Sequence, residues 1–285
     1  MLALTSDNPN RVYPYKFFYS GGDKVQSSWS YWEFAADDVI LDIDVLNNKI
    51  YFVIERADGV YLETMNVQST DYPLALTFDI LLDRRYQFES GDKSYDATNT
   101  TFTVPYVLTV AERADFRLVT IDGATPGRML DPDSYTWVDG SNVKFLGDWT
   151  GVEILGGLNY VESYTLSEQF HKGRNGSITT GRYQLRTITL VFEDMAFFKT
   201  VVDPYGTGDE ESTEEVVTAG LNNFTGKTLG TQSLTLGSPT FENGTYDFQV
   251  YGNSQVATVT ITNDVPFGGK MVSATVEGFY TRRGR

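Results

Sequence analysis

The chain has 285 residues, a formal net charge of −16 at pH 7, no cysteine and a single histidine, with 18 Tyr, 18 Phe, 26 Gly and 9 Pro. Without cysteine there are no disulfides, thiolate nucleophiles or cysteine-based zinc sites, and the acidic balance opposes binding to nucleic-acid phosphate wherever basic residues are not gathered. Aromatic and β-branched side chains suit half-buried pleated surfaces and glycine suits turns, so the composition points to an all-β protein.

The first residues, MLALTSDNPNRVYPYKF, lack a basic segment followed by an apolar one and do not read as a secretory signal. No stretch approaches the roughly 18–20 apolar residues of a membrane span, so a soluble protein without stable membrane insertion is expected. The first elements are four strands, at 25–34 (VQSSWSYWEF), 39–46 (VILDIDVL), 49–55 (KIYFVIE) and 60–67 (VYLETMNV). Asn47-Asn48 and Ala57-Asp58-Gly59 are tight-turn signals between them. Four antiparallel strands in succession form a meander, the unit of a β-propeller blade, and one blade alone leaves a face uncovered. No second copy at a fixed period follows.

Residues 71–96 show no clean period and read as a connector. The β signal returns over 98–198. Pro105 demotes 101–110 to an edge or bulged strand, and short strands at 116–121, 134–138, 143–145, 152–155 and 160–166 are separated by Asp-Gly and Asp-Pro turns. The segment 182–192 (RYQLRTITLVF) alternates well. Residues 167–180 and 203–215 read as long loops, the second a dense acidic run of the kind that is usually solvated. Strands at 229–236, 244–251, 255–262 and 270–280 complete the chain. A helix over 106–117 is disfavoured by β-branched residues. The expected architecture is thus all-β: a propeller-blade-like segment at 1–80, a β-sandwich or barrel-like domain at 81–205, and an acidic loop with C-terminal strands returning to the body at 206–285.

Catalytic grammar is sparse. The one histidine, His171, stands in a polar segment, FHKGRNGS, and a lone loop histidine is more often solvated than catalytic. Gly226-Lys227-Thr228 resembles the end of a phosphate-binding loop, but the spacing from Gly220 is one residue too long and no strand–helix context surrounds it. Asp42 with Asp44, and Asp131 with Asp133, lack calcium-loop spacing. No catalytic residue, metal site or cofactor is assigned, and the chain is not read as an enzyme. Carboxylate pairs with Trp29, Trp32, Trp137 and Trp149 leave a second reading open, a glycan-binding or glycan-hydrolysing module acting on the host cell surface. A soluble β-sandwich adhesin is a third.

Several segments carry a resemblance when taken in order: SDNPNRVYPYKFFYSGGDKVQSSWSYWEF at 6–34, VILDIDVL at 39–46, IYFVIERADGVYLE at 50–63, LLDRR at 81–85, GLNYVESYTLSEQF at 157–170, GRYQLRTITLVFEDMAFF at 181–198 and ITNDVPFGGKMVSATVEGFYTRRGR at 261–285. Together they resemble the C-terminal part of the tail nozzle (tail tubular protein B) family of short-tailed phages. Family members are longer, with a propeller before the point matched by this chain, so only a last blade is expected here, as a fragment, a split product or a C-terminal piece. The resemblance implies a structural subunit at the virion tail tip, made in the host cytoplasm. It implies a homohexameric ring that joins an upstream tail tube or adaptor protein and the tail fibre, and a channel through which duplex DNA passes without sequence-specific binding. An acidic wall lets DNA slide, because each neutralised phosphate would add affinity. The acidic loop residues Asp209, Glu210, Glu211, Glu214 and Glu215 are the channel candidates. Trp29, Trp32, Phe279, Tyr280, Arg282 and Arg283 are the interface candidates, chosen for aromatic or arginine character. Trp29 and Trp32 are three apart, so on one extended strand they would face opposite sides.

Overall fold

A computed structural model describes residues 1–57, 59–66, 76–173, 176–178, 181–205, 222–224 and 237–281. The chain divides into two compact units, Met1–Thr70 and Asp71–Arg285.

The first unit holds β1 (Leu2–Leu4), β2 (Arg11–Ser20), β3 (Asp23–Trp29), β4 (Trp32–Glu33), β5 (Val39–Leu46), β6 (Lys49–Arg56) and β7 (Gly59–Asn66). The segment 25–34 does not join the meander expected from the sequence. Its residues form the end of β3 and all of β4, and both strands pair with β2. The cause is local. Gly21 and Gly22 take φ of +60° and +93°, which closes a β2–β3 hairpin, and β2 supplies a nearer partner than β5. The meander is therefore three-stranded, in the order β5-β6-β7, with Asn47 and Asn48 at φ 51° and 63° in the first turn.

Period two decides what this unit buries. On β6, Ile50, Phe52 and Ile54 point inward, where they join Val12 of β2 and Ile40 of β5. Phe34 adds its ring 5.4 Å from that of Phe52, and each fully buried aliphatic or Phe side chain stabilises by about 1.5–3 kcal/mol. Beside this core lies a charged cluster. Arg56 Nε donates to both carboxylate oxygens of Asp38 at 3.2 Å, and Arg56 Nη1 donates to Glu63 at 2.5 Å. Burial works against the guanidinium charge, but hydrogen bonds and attraction from Glu63 and then Asp38 outweigh it and raise the Arg56 pKa.

The second unit begins with β8 (Asp83–Phe88), β9 (Lys93–Tyr95), β10 (Asn99–Thr103), α1 (Val110–Asp115), β11 (Phe116–Thr120), β12 (Thr136–Trp137), β13 (Asn142–Leu146) and β14 (Ile154–Leu158). Two open sheets, β12-β13-β10-β9 and β11-β14-β8, enclose a core that includes Phe88, Phe102, Phe116, Leu118, Val143 and Ile154. The unit continues with β15 (Glu162–Thr165), β16 (His171–Gly173), β17 (Gly176–Ile178), β18 (Arg182–Met195), β19 (Phe198–Asp203), β20 (Asn222–Phe224), β21 (Glu242–Gln249), β22 (Thr258–Asn263) and β23 (Lys270–Thr281). Here the sheets β15-β22-β19-β20 and β21-β18-β23 enclose Ile188, Leu190, Phe198, Phe248 and Ile261. A third cluster joins the two halves: Val119, Ile121 and Leu155 meet Ala196, Phe267 and Ile80. The β18–β23 pairing is interrupted by register shifts at Leu185/Thr187 and Val191/Phe192, and such bulges increase local twist.

Three further readings are corrected. The supposed connector carries β8 and β9. The supposed strand at 101–110 stops at Thr103, and α1 follows, because Thr109 and Glu112 form a reciprocal capping box. The supposed loop at 167–180 holds the short β16–β17 hairpin. The expected all-β class stands, built of several antiparallel sheets, and none of those described closes into a barrel.

Candidate assembly interface

The first unit leaves two surfaces open, and both follow from strand periodicity. On β2 the even positions Val12 and Pro14 are buried, so the odd positions Tyr13, Tyr15, Phe17 and Tyr19 line the other face. Their rings run in contact, 5.9 Å from Tyr15 to Phe17 and 5.6 Å from Phe17 to Tyr19, with centroid separations in the favourable aromatic range. Trp29 lies directly across from Tyr15 in register, at 5.0 Å. Tyr15 is half-buried, whereas Phe17, Tyr19 and Trp29 are 55%, 54% and 53% exposed. Lys24 returns along this face, places its ammonium 4.8 Å above the Tyr15 ring and donates to the Tyr15 hydroxyl. That hydrogen bond, with a smaller one from Ser27, pulls the Tyr15 pKa below its ordinary value. At the base of the ladder the Arg11 guanidinium lies 4.7 Å from the Tyr31 ring centroid and pairs with Glu33 at 3.0 Å.

The second surface is the outer face of the β5-β6-β7 sheet. With Ile50, Phe52 and Ile54 turned inward, Tyr51 and Val53 turn outward, and register places Leu62 against Val53 and Asp44 against Tyr51. Leu46, Val60 and Leu62 are 58%, 60% and 69% exposed. A shallow depression of about 260 Å³ lies among Asp42, Asp44, Leu46, Tyr51, Val53 and Leu62. The Asp42 and Asp44 carboxylates each accept from the backbone N–H of the next residue, Ile43 and Val45, at 2.8 Å. β5 ends its sheet, with the Ile40 N–H on that edge donating to the Pro9 carbonyl, and the two carboxylates occupy further donors along the edge and oppose addition of another strand there. Apolar side chains therefore lie on both faces of this sheet, one face in the core and the other exposed.

A family model described as bacteriophage nozzle protein matches residues 1–285. The chain belongs to that family. It is also 25% identical, over 302 aligned positions, to the tail tubular protein gp12 of Escherichia phage T7. The match takes in 99% of this chain and 35% of that protein, so the chain spans about a third of the length of the curated relative.

The predicted interface residues fall in different settings. Trp29 is on the open ladder, while Trp32, on β4, packs against the core of the first unit. Phe279, near the end of β23, is 64% exposed. Tyr280 turns the other way, pairs across from Tyr183 and stacks on His171 with ring centroids 4.7 Å apart and planes 14° from parallel. The sole histidine thus packs within the second unit. Arg282, Arg283 and the acidic positions Asp209, Glu210, Glu211, Glu214 and Glu215 lie outside the described residues. Sequence reading missed the β2 ladder, although aromatics at every second position from Tyr13 to Tyr19 carry its signal. It also missed the outward face of β6. Among the described residues no group of His, Asp and Glu side chains could hold a metal ion, and no helix is long and apolar enough to cross a membrane.

Proposed function

We propose that this chain is a structural part of a phage tail nozzle, located at the virion tail, which acts by assembly and channel geometry and carries out no catalysis. The observation that carries the reading is the nozzle family match along the whole chain. In this reading copies repeat around an axis as a homohexamer, the first unit supplies a propeller blade, and the ring joins the tail tube above and the fibres beside it. Duplex DNA passes through the ring without sequence-specific contacts. The formal charge of −16 supports this, because a wall that does not neutralise phosphates releases few counterions and holds DNA weakly. The open aromatic and apolar surfaces of the first unit support assembly, since patches of this kind mark protein contacts.

Electron microscopy of the purified chain, alone and mixed with the upstream tail tube protein, tests the proposal. Sixfold rings with a central hole that join the tube are expected. A chain that stays monomeric and never enters tail particles, when supplied to a phage lacking its own nozzle, would refute it.

A further inference from the structure

The two open surfaces of the first unit are unlike each other and complementary. The β2–β3 arm is a projecting ridge of aromatic rings, and its segment 16–28 carries Lys16 and Lys24 against Asp23, a net +1 in a chain of −16. The outer face of β5-β6-β7 is a shallow apolar depression edged by Asp42 and Asp44, with Glu55 and Lys49 at opposite ends of the same face of β6. We propose that the β2–β3 arm of one copy seats on the outer β5-β6-β7 face of the next copy, as a head-to-tail contact.

The depression of about 260 Å³ lies below the roughly 300–1,000 Å³ of ordinary small-molecule pockets, and its apolar floor suits a protruding aromatic side chain. Phe17 and Trp29 are the anchors, since both are more than half exposed and already held by neighbouring rings, which lowers the entropy lost on docking. Lys24 lies on the aromatic side of the arm, where it would meet Asp42 and Asp44. The same carboxylates occupy the edge donors of β5, so the contact is made face-on by side chains and not by adding a strand. A contact between two different patches is heterologous, and repeated by rotation it closes a ring or grows a filament. The inference rests on the nozzle reading only for the closure of that ring.

The test replaces Phe17 with the photo-crosslinker p-benzoylphenylalanine in the full chain and mixes isotopically light with heavy protein. Light-to-heavy crosslinks from position 17 to peptides covering 42–62 are expected. Asp42→Lys with Asp44→Lys should weaken self-association about tenfold, and Lys24→Glu in the same chain should restore it, because like charges at an interface repel and opposite ones steer. Unchanged circular dichroism of the Asp42→Lys/Asp44→Lys chain separates lost docking from lost folding. Crosslinks from position 17 to itself, or to the second unit, would overturn the proposal while leaving a ring-forming nozzle intact. Absence of any intermolecular crosslink overturns it too. So does an aromatic ladder whose substitution abolishes binding to purified host-surface glycan and leaves assembly unchanged. Entry into tail particles of a nozzle-deficient phage reports separately on the nozzle reading.

Discussion

Substitution of Asp38 by alanine removes one carboxylate from a guanidinium that has few other partners. The Arg56 and Asp38 side chains retain only 9% and 6% of their exposure, so solvent does little to replace the lost partner. Breaking a buried ion pair costs about 3–5 kcal/mol. Glu63 remains at 2.5 Å and is more exposed, at 27%, which places the expected cost near the bottom of that range, about 3 kcal/mol. The first unit has few buried apolar side chains to absorb such a loss. Hydrogen exchange of the full chain is the assay. The slowest amides of β6 should exchange about a hundredfold faster in Asp38→Ala, while those of β11 and β14 in the second unit should not change. Replacing both Asp38 and Arg56 with apolar residues should cost less than the two single changes summed. Exchange within about twofold of the parent in Asp38→Ala, or strict additivity in the double variant, would refute the claim that the pair is coupled and buried.

Gly157 lies where β14 shifts register against β8, and a Cβ there would come within 2.7 Å of the Asp83 carbonyl oxygen and 2.9 Å of Leu82. Gly157→Val should therefore destabilise the second unit by about 1–3 kcal/mol, read as a lower urea midpoint at unchanged slope. Thr109→Ala removes the α1 cap and should cost about 1 kcal/mol by the same measurement. Acid stability should depend on two turn carboxylates. Asp96 is held below the ordinary 3.8 by the Asn99 backbone N–H and then Lys144, and Asp139 is held below the same value by the Asn142 side chain and then the Ser141 N–H. A depressed folded-state pKa contributes stability above the unfolded value that disappears as pH falls through the folded one, so Asp96→Asn and Asp139→Asn should flatten the acid limb below about pH 4. Carboxyl NMR titration with midpoints at or above 3.8 would contradict this.

How much was legible in the sequence varied with what holds each element. β6 could be read directly, because its alternation maps onto one buried face. β18 was legible as a strand, but its buried positions pass from odd at Leu185 to even at Ile188, Leu190 and Phe192 across the bulge, which a strict period of two does not foretell. The β2 ladder was harder. Pro14 is buried, and the run of Tyr13, Tyr15, Phe17 and Tyr19 on the other face is aromatic, so the apolar–polar rhythm that marks an ordinary half-buried strand is absent. α1 was masked by its flanking valines, although Thr109 and Glu112 are spaced as a capping box. β8 is held by a distant partner, Gln87 pairing with Leu155, a pairing that no local pattern encodes. β9 pairs with the next strand, Lys93 with Phe102, but at three residues it is too short to show a period. For the interface candidates, residue type identified aromatics but not their direction. Tyr280 and Phe279 are neighbours, yet one stacks inside the second unit and the other faces out.

The pairing of β18 with β23 sets an order on biosynthesis. Glu193 pairs with Lys270 and Arg182 with Thr281, so residues of β18 leave the ribosome about 4–20 s before their partners at typical rates of translation. Until β21 is made Ile188, Leu190 and Phe192 have neither neighbour strand beside them, and from then until β23 is made they have only one. The first unit is different, since β5, β6 and β7 pair with immediate neighbours and need nothing synthesised later. A nascent chain would therefore carry β5, β6 and β7 already paired ahead of an open sheet. The vulnerable species is the ribosome-bound chain that has made β18 and still lacks β21, and chaperone engagement is expected to peak there.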